Sequence, residues 1–505
     1  MQKSLTRLKE IDREIRLLEH VSEVLGWDQE TYMPDGAIAE RSEQLALLQS
    51  KVHSLLTSEE TGRLFEDVGA SAQRPEGDPS LPAEGAAFVR AFYREYSRNA
   101  RLPNDLVTRI ARKTSTGQAA WAKAREAEDF SKFAPHLEEI VELTLEKAEC
   151  IGFDEHPYDA LLDEYEPWMK ASRVREIFGD LRSRLVPLVQ QIGDAPQVND
   201  SFLKPSFPVD AQEDFGRRVL ADLGFDLHRG RLDVSAHPFT TTLGFDDVRL
   251  TTRYNAHYFQ TAIFGTIHEC GHGLYELGFD PTHRGSVLAS ATSLGIHESQ
   301  SRFWENFVGR SRAFWSRYLD PLREYFPTQL DGITVDQFYR AINKVEPSHI
   351  RVEADEVTYS LHIILRFELE LALTEGSIDI DALPEAWREK SKQLLGIIPE
   401  SDADGVLQDI HWSMGGIGYF PTYSLGNLYA AQFAEALRND IGDLDVRVRA
   451  GEFSVILDWL REHIHRHGAA KTARELAVDV TGHPVDAGHF VEYLRKKYSE
   501  VYGLS

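Results

Sequence analysis

The segment that decides the fold is Ile263-Phe-Gly-Thr-Ile-His268-Glu269-Cys-Gly-His272-Gly-Leu-Tyr275. Its two histidines are four residues apart, so on an α-helix their imidazoles lie on one face and reach a single ion. Zinc binds imidazole nitrogen at roughly 2.0–2.1 Å, and this pair would fill two corners of a tetrahedral site. Glu269 projects beside the ion, where it can accept a proton from metal-bound water. The segment predicts a helical metallopeptidase site, and a helix with two core histidines is the alternative.

A catalytic zinc ion needs a third protein ligand and an open fourth position. Residues 285–295 are small and polar, as is typical of a connection, and they lead to His297-Glu298-Ser-Gln300. Glu298 follows His272 by 26 residues, which is enough for a second helix to return antiparallel and offer a carboxylate. No third histidine follows at the short spacing of metzincins. We therefore predict His268, His272 and Glu298 as the metal ligands.

A second histidine cluster competes for the metal. It consists of His463, His465 and His467, with Arg466 inside it. Alternate residues do not share one helix face, so this cluster favours a solvated charged stretch over a metal site.

Helical periodicity dominates the rest of the chain. Apolar residues recur every three or four positions in two long segments: Leu5, Leu8, Ile11, Ile15, Leu18 and Leu25, and Val174, Ile177, Leu181, Leu185 and Leu188. Residues 356–373 form a third, largely apolar segment without Gly or Pro, whereas residues 232–254 are the best strand candidate. Two turn-rich segments, residues 69–85 and 194–208, are interpreted as surface loops because composition does not change across them. We predict one mainly α-helical unit over residues 1–505, with a small β-sheet just before the metal site.

Composition limits the compartment and the partners. Of the 505 residues, 42% are hydrophobic and 27% charged, which is typical of globular proteins, and we find no apolar run long enough for a membrane span. The formal net charge of -26 argues against nucleic acid and anionic membranes as partners. Only Cys150 and Cys270 occur, and the N-terminus lacks a signal-peptide core. We expect a cytoplasmic protein.

Several further motifs occur in order along the chain, and together they resemble the carboxypeptidase Taq family of thermostable zinc metallocarboxypeptidases of the H-E-x-x-H type. One departure is Trp168 after Glu166-Pro167, where the resemblance leads us to expect glycine; it lies outside the presumed catalytic motifs. The matching motifs, besides the metal segments, are Leu25-Gly-Trp-Asp-Gln-Glu-Thr-Tyr-Met-Pro34, Pro157-Tyr-Asp-Ala-Leu-Leu-Asp163, His237-Pro-Phe239, Asp247-Val-Arg-Leu-Thr251, Ile350-Arg-Val-Glu-Ala-Asp355, Gly405-Val-Leu-Gln-Asp-Ile-His-Trp412 and Gly418-Tyr-Phe-Pro-Thr-Tyr-Ser-Leu-Gly426.

The resemblance implies a mostly helical fold with a deep groove between two lobes, similar to neurolysin and angiotensin-converting enzyme. It also implies a homodimer, one divalent metal ion per chain and release of single C-terminal residues from peptides with broad specificity. We expect Zn²⁺ as the cofactor, with Co²⁺ and Mn²⁺ as alternatives.

Two arginines are candidates for the residue that binds the substrate carboxylate. A guanidinium recognises a carboxylate through two charge-assisted hydrogen bonds. Arg351 is the first choice because the resemblance places its motif at the cleft, and the alternative is an ion pair with Asp355 or Glu353. Arg249 is the second choice, since its strand-like motif could simply hold the sheet together.

Three residues near the C-terminal motifs are candidates for stabilising the oxyanion or contacting substrate. Phenol or imidazolium donors aimed at a developing oxyanion lower the barrier to hydrolysis, which suits Tyr419, Tyr423 and His411. The alternative is that these residues only form a buried aromatic cluster. Which of the two tyrosines would stabilise the oxyanion stays open. His237, beside the strand-like segment, is expected to hydrogen-bond the backbone of an extended peptide.

We therefore predict a cytoplasmic zinc metallocarboxypeptidase with Glu269 as general base. An endo-oligopeptidase or dipeptidyl carboxypeptidase is the second hypothesis, and an anchoring arginine near the metal argues against it. A peptide-binding protein with a structural zinc site is the third. Glu269 argues against it, because a structural site needs ligands but no base.

Overall fold

The fold is mainly helical, as predicted; the structure is a computed structural model that describes residues 1–504. The helices in the first half of the chain are α1 (Gln2–Thr31), α2 (Ile38–Leu56), α3 (Glu59–Asp67), α4 (Ala83–Ala100), α5 (Asn104–Glu126), α6 (Ala134–Ile151), α7 (Pro157–Leu162), α8 (Ala171–Asp194), α9 (Val209–Leu223) and α10 (Phe259–Glu276). They are followed by α11 (Leu294–Arg302), α12 (Arg312–Tyr325), α13 (Val335–Ile342), α14 (Tyr359–Thr374), α15 (Leu383–Leu395), α16 (Pro421–Ile441), α17 (Leu444–Ala450), α18 (Phe453–His463), α19 (Ala473–Thr481) and α20 (Gly488–Tyr502). None of these helices, within residues 1–504, is long and apolar enough to span a bilayer.

A small sheet precedes the predicted metal helix. Its strands are β1 (Gly230–Val234), β2 (Thr240–Gly244) and β3 (Asp247–Thr252), in the order β1-β3-β2. Strand β3 pairs in parallel with β1 and antiparallel with β2. The hydroxyl of Thr266 on α10 donates to that of Thr252 on β3 at 3.1 Å. The sheet is thereby fixed to α10, where the sequence predicted it.

Two separate hydrophobic cores form within the described chain. The larger one surrounds α10, α14 and α16. The smaller one is formed by the first four helices, α1, α2, α3 and α4, together with a short loop that contains Val287 and Leu288. The backbone amide of Val287 in that loop donates to the buried Asp12 carboxylate at 2.8 Å. The smaller core consists of Leu5, Leu8, Ile11, Ile15, Leu56, Phe65, Val68, Ala70, Leu81, Phe88, Val89, Phe92, Val287 and Leu288. The first part of the apolar face predicted for α1, from Leu5 to Ile15, is thus buried in this smaller core, whereas Leu18 and Leu25 are half-buried and lie outside it.

The other predicted helices and loops also occur. Helix α8 buries its predicted apolar residues and continues past Pro187 to Asp194, although proline removes one intrahelical hydrogen bond. Helix α14 begins at Tyr359, three residues later than the predicted segment, because the side chain of Asp355 accepts the backbone amides of Val357 and Thr358 at 2.9 and 3.0 Å.

Trp168 has a backbone conformation that favours glycine. Its φ angle is 63°, in the left-handed region, where a side chain costs about 1–2 kcal/mol. The guanidinium groups of Arg90 and Arg94 each lie 5.8 Å from the ring centroid, and the Trp168 amide donates to Asp163 Oδ1 at 2.7 Å. This left-handed conformation suits the glycine that the resemblance led us to expect; in this chain the tryptophan makes two cation–π contacts.

Candidate metal centre and active site

Three predicted ligands converge on one point. His268 and His272 lie on α10 and Glu298 on α11, and Glu298 Oε2 is 3.5 Å from His268 Nε2 and 3.4 Å from His272 Nε2. One donor atom from each residue lies within 4.8 Å of the other two. Tetrahedral bonds of roughly 2.0–2.1 Å would separate neighbouring ligand atoms by about 3.4 Å. The donor set and its spacing therefore fit one zinc-sized ion.

Two glycines allow the ligand-bearing helices to approach each other closely. A Cβ atom at Gly271 on α10 would lie 2.5 Å from the carbonyl oxygen of Gln300 on α11. A Cβ atom at Gly426 on α16 would lie 2.5 Å from Glu298 Cγ. Any larger residue would push these helices apart, because atoms in protein interiors are already in contact. The two glycines therefore determine how closely Glu298 approaches the two histidines.

A carboxylate orients the first histidine. Glu305 Oε2 lies 3.0 Å from His268 Nδ1, so a proton on that nitrogen leaves Nε2 free to bind a metal ion. Glu305 belongs to a π-helical segment, Phe303–Gly309, and Arg310 holds its other oxygen through Nη2 at 3.0 Å. π-Helical turns often occur at functional sites. Glu305 was not among the residues predicted from sequence, although its position seven residues after Glu298 is the spacing of a shared helix face.

Arg302 holds the ligand carboxylate from the other side. Its Nε donates to Glu298 Oε1 at 2.7 Å, and its Nη1 contacts Glu305 Oε2 at 3.1 Å. Burial opposes ionisation of Glu298, but Arg302 and His268 outweigh it and lower the pKa of Glu298 well below its usual value. Glu298 is therefore a carboxylate with one oxygen directed at the histidines. Arg302 was missed as well, although an arginine four residues after a glutamate is a recognisable helical pair.

The second histidine stacks on another ring. His272 and His297 are nearly parallel, with ring centroids 4.2 Å apart, and His297 Nε2 lies 2.9 Å from Glu276 Oε1. Burial, together with the neighbouring His297, lowers the pKa of His272 to about 3. A neutral imidazole is the form that binds metal ions.

Glu269 faces the sheet. Its Oε2 accepts a hydrogen bond from Thr240 Oγ1 on β2 at 2.6 Å. Burial raises the pKa of Glu269, and the contributions of His268 and Thr240 only partly oppose this. A carboxylate with a raised pKa is a better proton acceptor, which suits a general base. Residue Thr240 was not identified as a site residue from sequence.

Arg351 forms an ion pair, but not with either partner considered as the alternative to its role as anchor. Its Nε and Nη2 donate to Asp409 Oδ1 at 2.9 and 2.8 Å, and Arg366 Nε donates to Asp409 Oδ2 at 2.7 Å. Neither Asp355 nor Glu353 is its partner; the Asp355 side chain instead accepts the backbone amides of Val357 and Thr358, just before α14. Two guanidinium groups share one carboxylate, so this buried cluster carries one excess positive charge. A buried cluster with an excess positive charge is suited to binding an anion.

Tyr359 connects this cluster to the metal ligands. Arg351 Nη1 donates to the Tyr359 hydroxyl at 3.0 Å, and the Arg302 guanidinium lies 4.5 Å from the Tyr359 ring centroid. Because Arg302 also binds Glu298, a continuous chain of contacts leads from the metal ligands to Arg351.

His411, Tyr419 and Tyr423 lie together beside Arg351. His411 Nε2 is 3.3 Å from the Tyr423 hydroxyl, the two tyrosine rings are 5.3 Å apart, and the Arg351 guanidinium lies 4.9 Å from the Tyr423 ring. Burial raises the pKa of both phenols, and the negative charge of Glu298 adds to this. Burial lowers the pKa of His411 to about 4. The phenols are thus protonated donors, whereas His411 is a neutral imidazole and not the imidazolium considered from sequence.

Arg249 and His237 lie at the small sheet. Arg249 on β3 binds Asp247 through two bonds of 3.0 and 2.9 Å, and its guanidinium stacks 4.2 Å from the ring of Trp27 on α1. It joins the sheet to the first helix, a structural role that differs from the alternative of holding the sheet itself together. His237 is exposed in the connection from β1 to β2, and its backbone carbonyl accepts from Ser235 Oγ at 2.6 Å.

The expectation of a solvated stretch at the competing histidine cluster is wrong for its central member. His465 is fully buried, and its Nε2 lies 2.9 Å from Gln300 Oε1. The chain forms a short 3-10 helix there, so alternate residues do not simply point to opposite faces. Among residues 1–504, His463, His465 and His467 do not form a group able to share a metal ion.

Known metallocarboxypeptidases are similar to this chain over nearly its whole length. The family model described as carboxypeptidase Taq (M32) metallopeptidase matches residues 7–498. The chain is 42% identical to thermostable carboxypeptidase 1 from Thermus thermophilus and 39% identical to carboxypeptidase 1 from Bacillus subtilis, over 98% and 97% of both chains, respectively. A solved M32 carboxypeptidase from Deinococcus radiodurans superposes with a TM-score of 0.95 at 39% identity, covering 99% of this chain and 100% of that one. Carboxypeptidase from Pyrococcus furiosus gives 0.94 at 39% identity, with 99% of each chain covered.

Proposed function

This chain belongs to the carboxypeptidase Taq (M32) metallopeptidase family, and we propose that His268, His272 and Glu298 hold its catalytic metal ion. It is a metal-dependent carboxypeptidase, a hydrolase that acts on C-terminal peptide bonds. The spacing of 3.4 and 3.5 Å between the histidine nitrogens and one oxygen of Glu298 carries the assignment of the ligands. We propose Zn²⁺ as the native ion, with Co²⁺ and Mn²⁺ as substitutes, because imidazole and carboxylate ligands suit all three.

Glu269 is the proposed general base. A bound metal ion would lower the pKa of a water molecule and polarise the substrate carbonyl. Glu269 takes the proton of the attacking water and returns it to the leaving amine, as microscopic reversibility allows. The bond from Thr240 keeps one oxygen of Glu269 fixed, so the other can turn toward the water. Glu305 and Arg302 keep His268 and Glu298 in orientation.

Tyr423 and Tyr419 are the proposed donors to the oxyanion. Their raised pKa values keep both hydroxyl groups protonated, and a donor aimed at developing negative charge lowers the barrier. His411 contacts the Tyr423 hydroxyl and is proposed to position it or the substrate. His237 is proposed to contact the backbone of an extended peptide that approaches the sheet.

Arg351 is the proposed anchor for the substrate carboxylate. A guanidinium has five N–H donors, and the bonds to Asp409 and Tyr359 occupy three of them. Two donors remain for an anion, and the cluster has an excess positive charge to neutralise. Arg249 stays the second candidate, but Asp247 already neutralises it through two bonds.

A peptide with a free C-terminal carboxylate should be trimmed much faster than its amide. A hydrogen bond to a charged group contributes about 1.5–3 kcal/mol, so we expect at least about a tenfold difference. Arg351→Lys should slow cleavage of the acid peptide and reduce the difference in rate between the acid and the amide, because an ammonium cannot form a bidentate contact with the substrate carboxylate. Mass spectrometry of otherwise identical acid and amide peptides over time measures both effects.

Arg249→Lys is the matched control for this experiment. It makes the same chemical change at an arginine that is already paired, and it should leave the acid-to-amide ratio unchanged. A collapse of the ratio in Arg249→Lys would make Arg249 the anchor. Equal rates for the two peptides with the unaltered enzyme would rule out a carboxylate anchor altogether.

The assembly and location are proposed from the family. We propose a homodimer whose subunits are each a single metallocarboxypeptidase unit over residues 1–505, with a peptide groove between two lobes. Broad specificity and a cytoplasmic location complete the proposal; both cysteines, Cys150 and Cys270, are free. Light scattering at micromolar concentration should give about twice the chain mass of 57.3 kDa. A particle of the mass of one chain would contradict the dimer and leave the enzymatic assignment intact.

A further inference from the structure

We propose that this protein has a second divalent-metal site, formed by His483, Asp486 and His489. These residues lie where the chain passes from α19 into α20, and their side chains are all partly exposed. One nitrogen from each histidine and one oxygen of Asp486 lie within 4.8 Å of one another. The site shares no residue with the catalytic cluster. Two imidazoles and a carboxylate favour Zn²⁺, Ni²⁺ or Cu²⁺ over Mg²⁺ or Ca²⁺.

The distance between the facing ring nitrogens of the two histidines fits two ligands of one metal ion. His483 Nε2 and His489 Nε2 face each other at 3.4 Å. N–H···O hydrogen bonds have heavy-atom distances of about 2.7–3.2 Å, and this contact between two nitrogens is longer than that. Two nitrogens bound tetrahedrally to zinc would lie about 3.4 Å apart, as the ligand atoms of the catalytic cluster do. The separation therefore matches two ligands of one ion.

The surrounding chain holds these ligands in place. Asp486 Oδ1 accepts the backbone amide of Gly488 at 2.7 Å, and Oδ2 lies 3.4 Å from His483 Nδ1. The amide side chain of Gln432 on α16 contacts His483 Nδ1 at 3.1 Å and accepts the Asp486 amide at 3.3 Å. The loop is thus attached to α16 before any ion binds. Partial exposure leaves room for water molecules as the remaining ligands.

The expected role of this ion is to tie the first turn of α20 to the loop that precedes it. His489 is on α20, whereas His483 and Asp486 are in the loop. Helix α20 buries Phe490, Val491 and Leu494 in the larger core, next to α16. An ion that binds only the folded state stabilises it by mass action. Zn²⁺ should therefore raise the unfolding temperature beyond what the catalytic ion contributes.

Zn²⁺ titration of the dialysed, active enzyme tests this site directly. The wild-type chain should bind a second equivalent, and its unfolding temperature should rise as that equivalent binds. The double variant His483→Gln/His489→Gln should lose the second equivalent and the temperature rise, and it should keep the tightly bound first ion and peptide turnover. Asp486→Asn should weaken the second site at least about tenfold, as changes around metal ligands typically do. Co²⁺ in place of Zn²⁺ gives an absorption spectrum that reports the ligands.

A matched control removes two other partly exposed histidines. His463→Gln/His467→Gln makes the same chemical change outside the site and should keep both equivalents. The proposal is overturned if the wild-type chain binds a single equivalent, or if the second equivalent survives in His483→Gln/His489→Gln. Loss of the second equivalent in the control would overturn it equally. If the ligands of the catalytic ion were assigned wrongly, the His483→Gln/His489→Gln variant would instead lose the first ion or its turnover.

Discussion

Replacing His268 and His272 together by alanine is expected to abolish both metal binding at the catalytic site and peptide hydrolysis. The two imidazoles supply two of the three protein ligands, and Glu298 alone cannot retain an ion against water. Without a metal ion nothing acidifies the attacking water, so turnover should fall to the background of the assay. Metal analysis of the purified variant and a peptide digestion read by mass spectrometry measure the two losses.

The matched control is His463→Ala/His467→Ala, which removes two histidines of the competing cluster. It should keep the catalytic ion and full activity. Full metal occupancy in the His268→Ala/His272→Ala variant would contradict the ligand assignment. Circular dichroism should show an unchanged helix content in that variant, because alanine favours helix and α10 is held in the larger core by other residues.

The features that could be predicted from sequence are those encoded by local spacing. The helical period places Leu5, Leu8 and Ile11 on the buried face of α1, and the four-residue spacing places His268 and His272 on one face of α10. Periodicity also predicted α8, although not where it ends, and the apolar run without Gly or Pro predicted α14 to within three residues. Each of these inferences needs only the geometry of one helix.

The features that could not be predicted depend on contacts between distant segments. Asp409 is 58 residues from Arg351, so local spacing suggested Asp355 or Glu353 as the partner and both were wrong. Thr240 binds Glu269 because the sheet packs on α10, which strand patterns alone do not specify. His465 is buried for a similar reason, since Gln300 of α11 provides its partner. A contact of this kind needs the tertiary fold.

Some of the missed residues had a local signal. Arg302 and Glu305 follow Glu298 at four and seven residues, which is the spacing of one helix face. Had α11 and the π-helical segment been predicted together, both residues would have been candidates for holding the ligand carboxylate and His268. Gly426 had a weaker signal, because a glycine inside a helix costs stability and can mark a close approach to another element, although Gly26 and Gly179 are helical glycines with nothing within 4 Å.

Glu269→Gln should retain the metal ion and the fold and lose most of the turnover. General acid–base catalysis contributes about 10²–10⁴-fold to the rate, so kcat should fall by a factor of at least about 10². Glutamine has nearly the same shape as glutamate, and its amide oxygen can still accept the hydrogen bond from Thr240. It cannot take a proton from water, so the variant separates the role of the base from the role of the metal ligands.

Thr240→Val is the informative companion to this variant. Valine keeps the shape of threonine and removes the hydroxyl that fixes one oxygen of Glu269 at 2.6 Å. Because the base itself remains, the loss in turnover should be smaller, about tenfold for one lost hydrogen bond to a charged group. Metal content and unfolding temperature should stay close to wild type in both variants. If Glu269→Gln kept a tenth of the wild-type turnover with its metal ion bound, another group would have to be the base, since no amide can replace a carboxylate in that step.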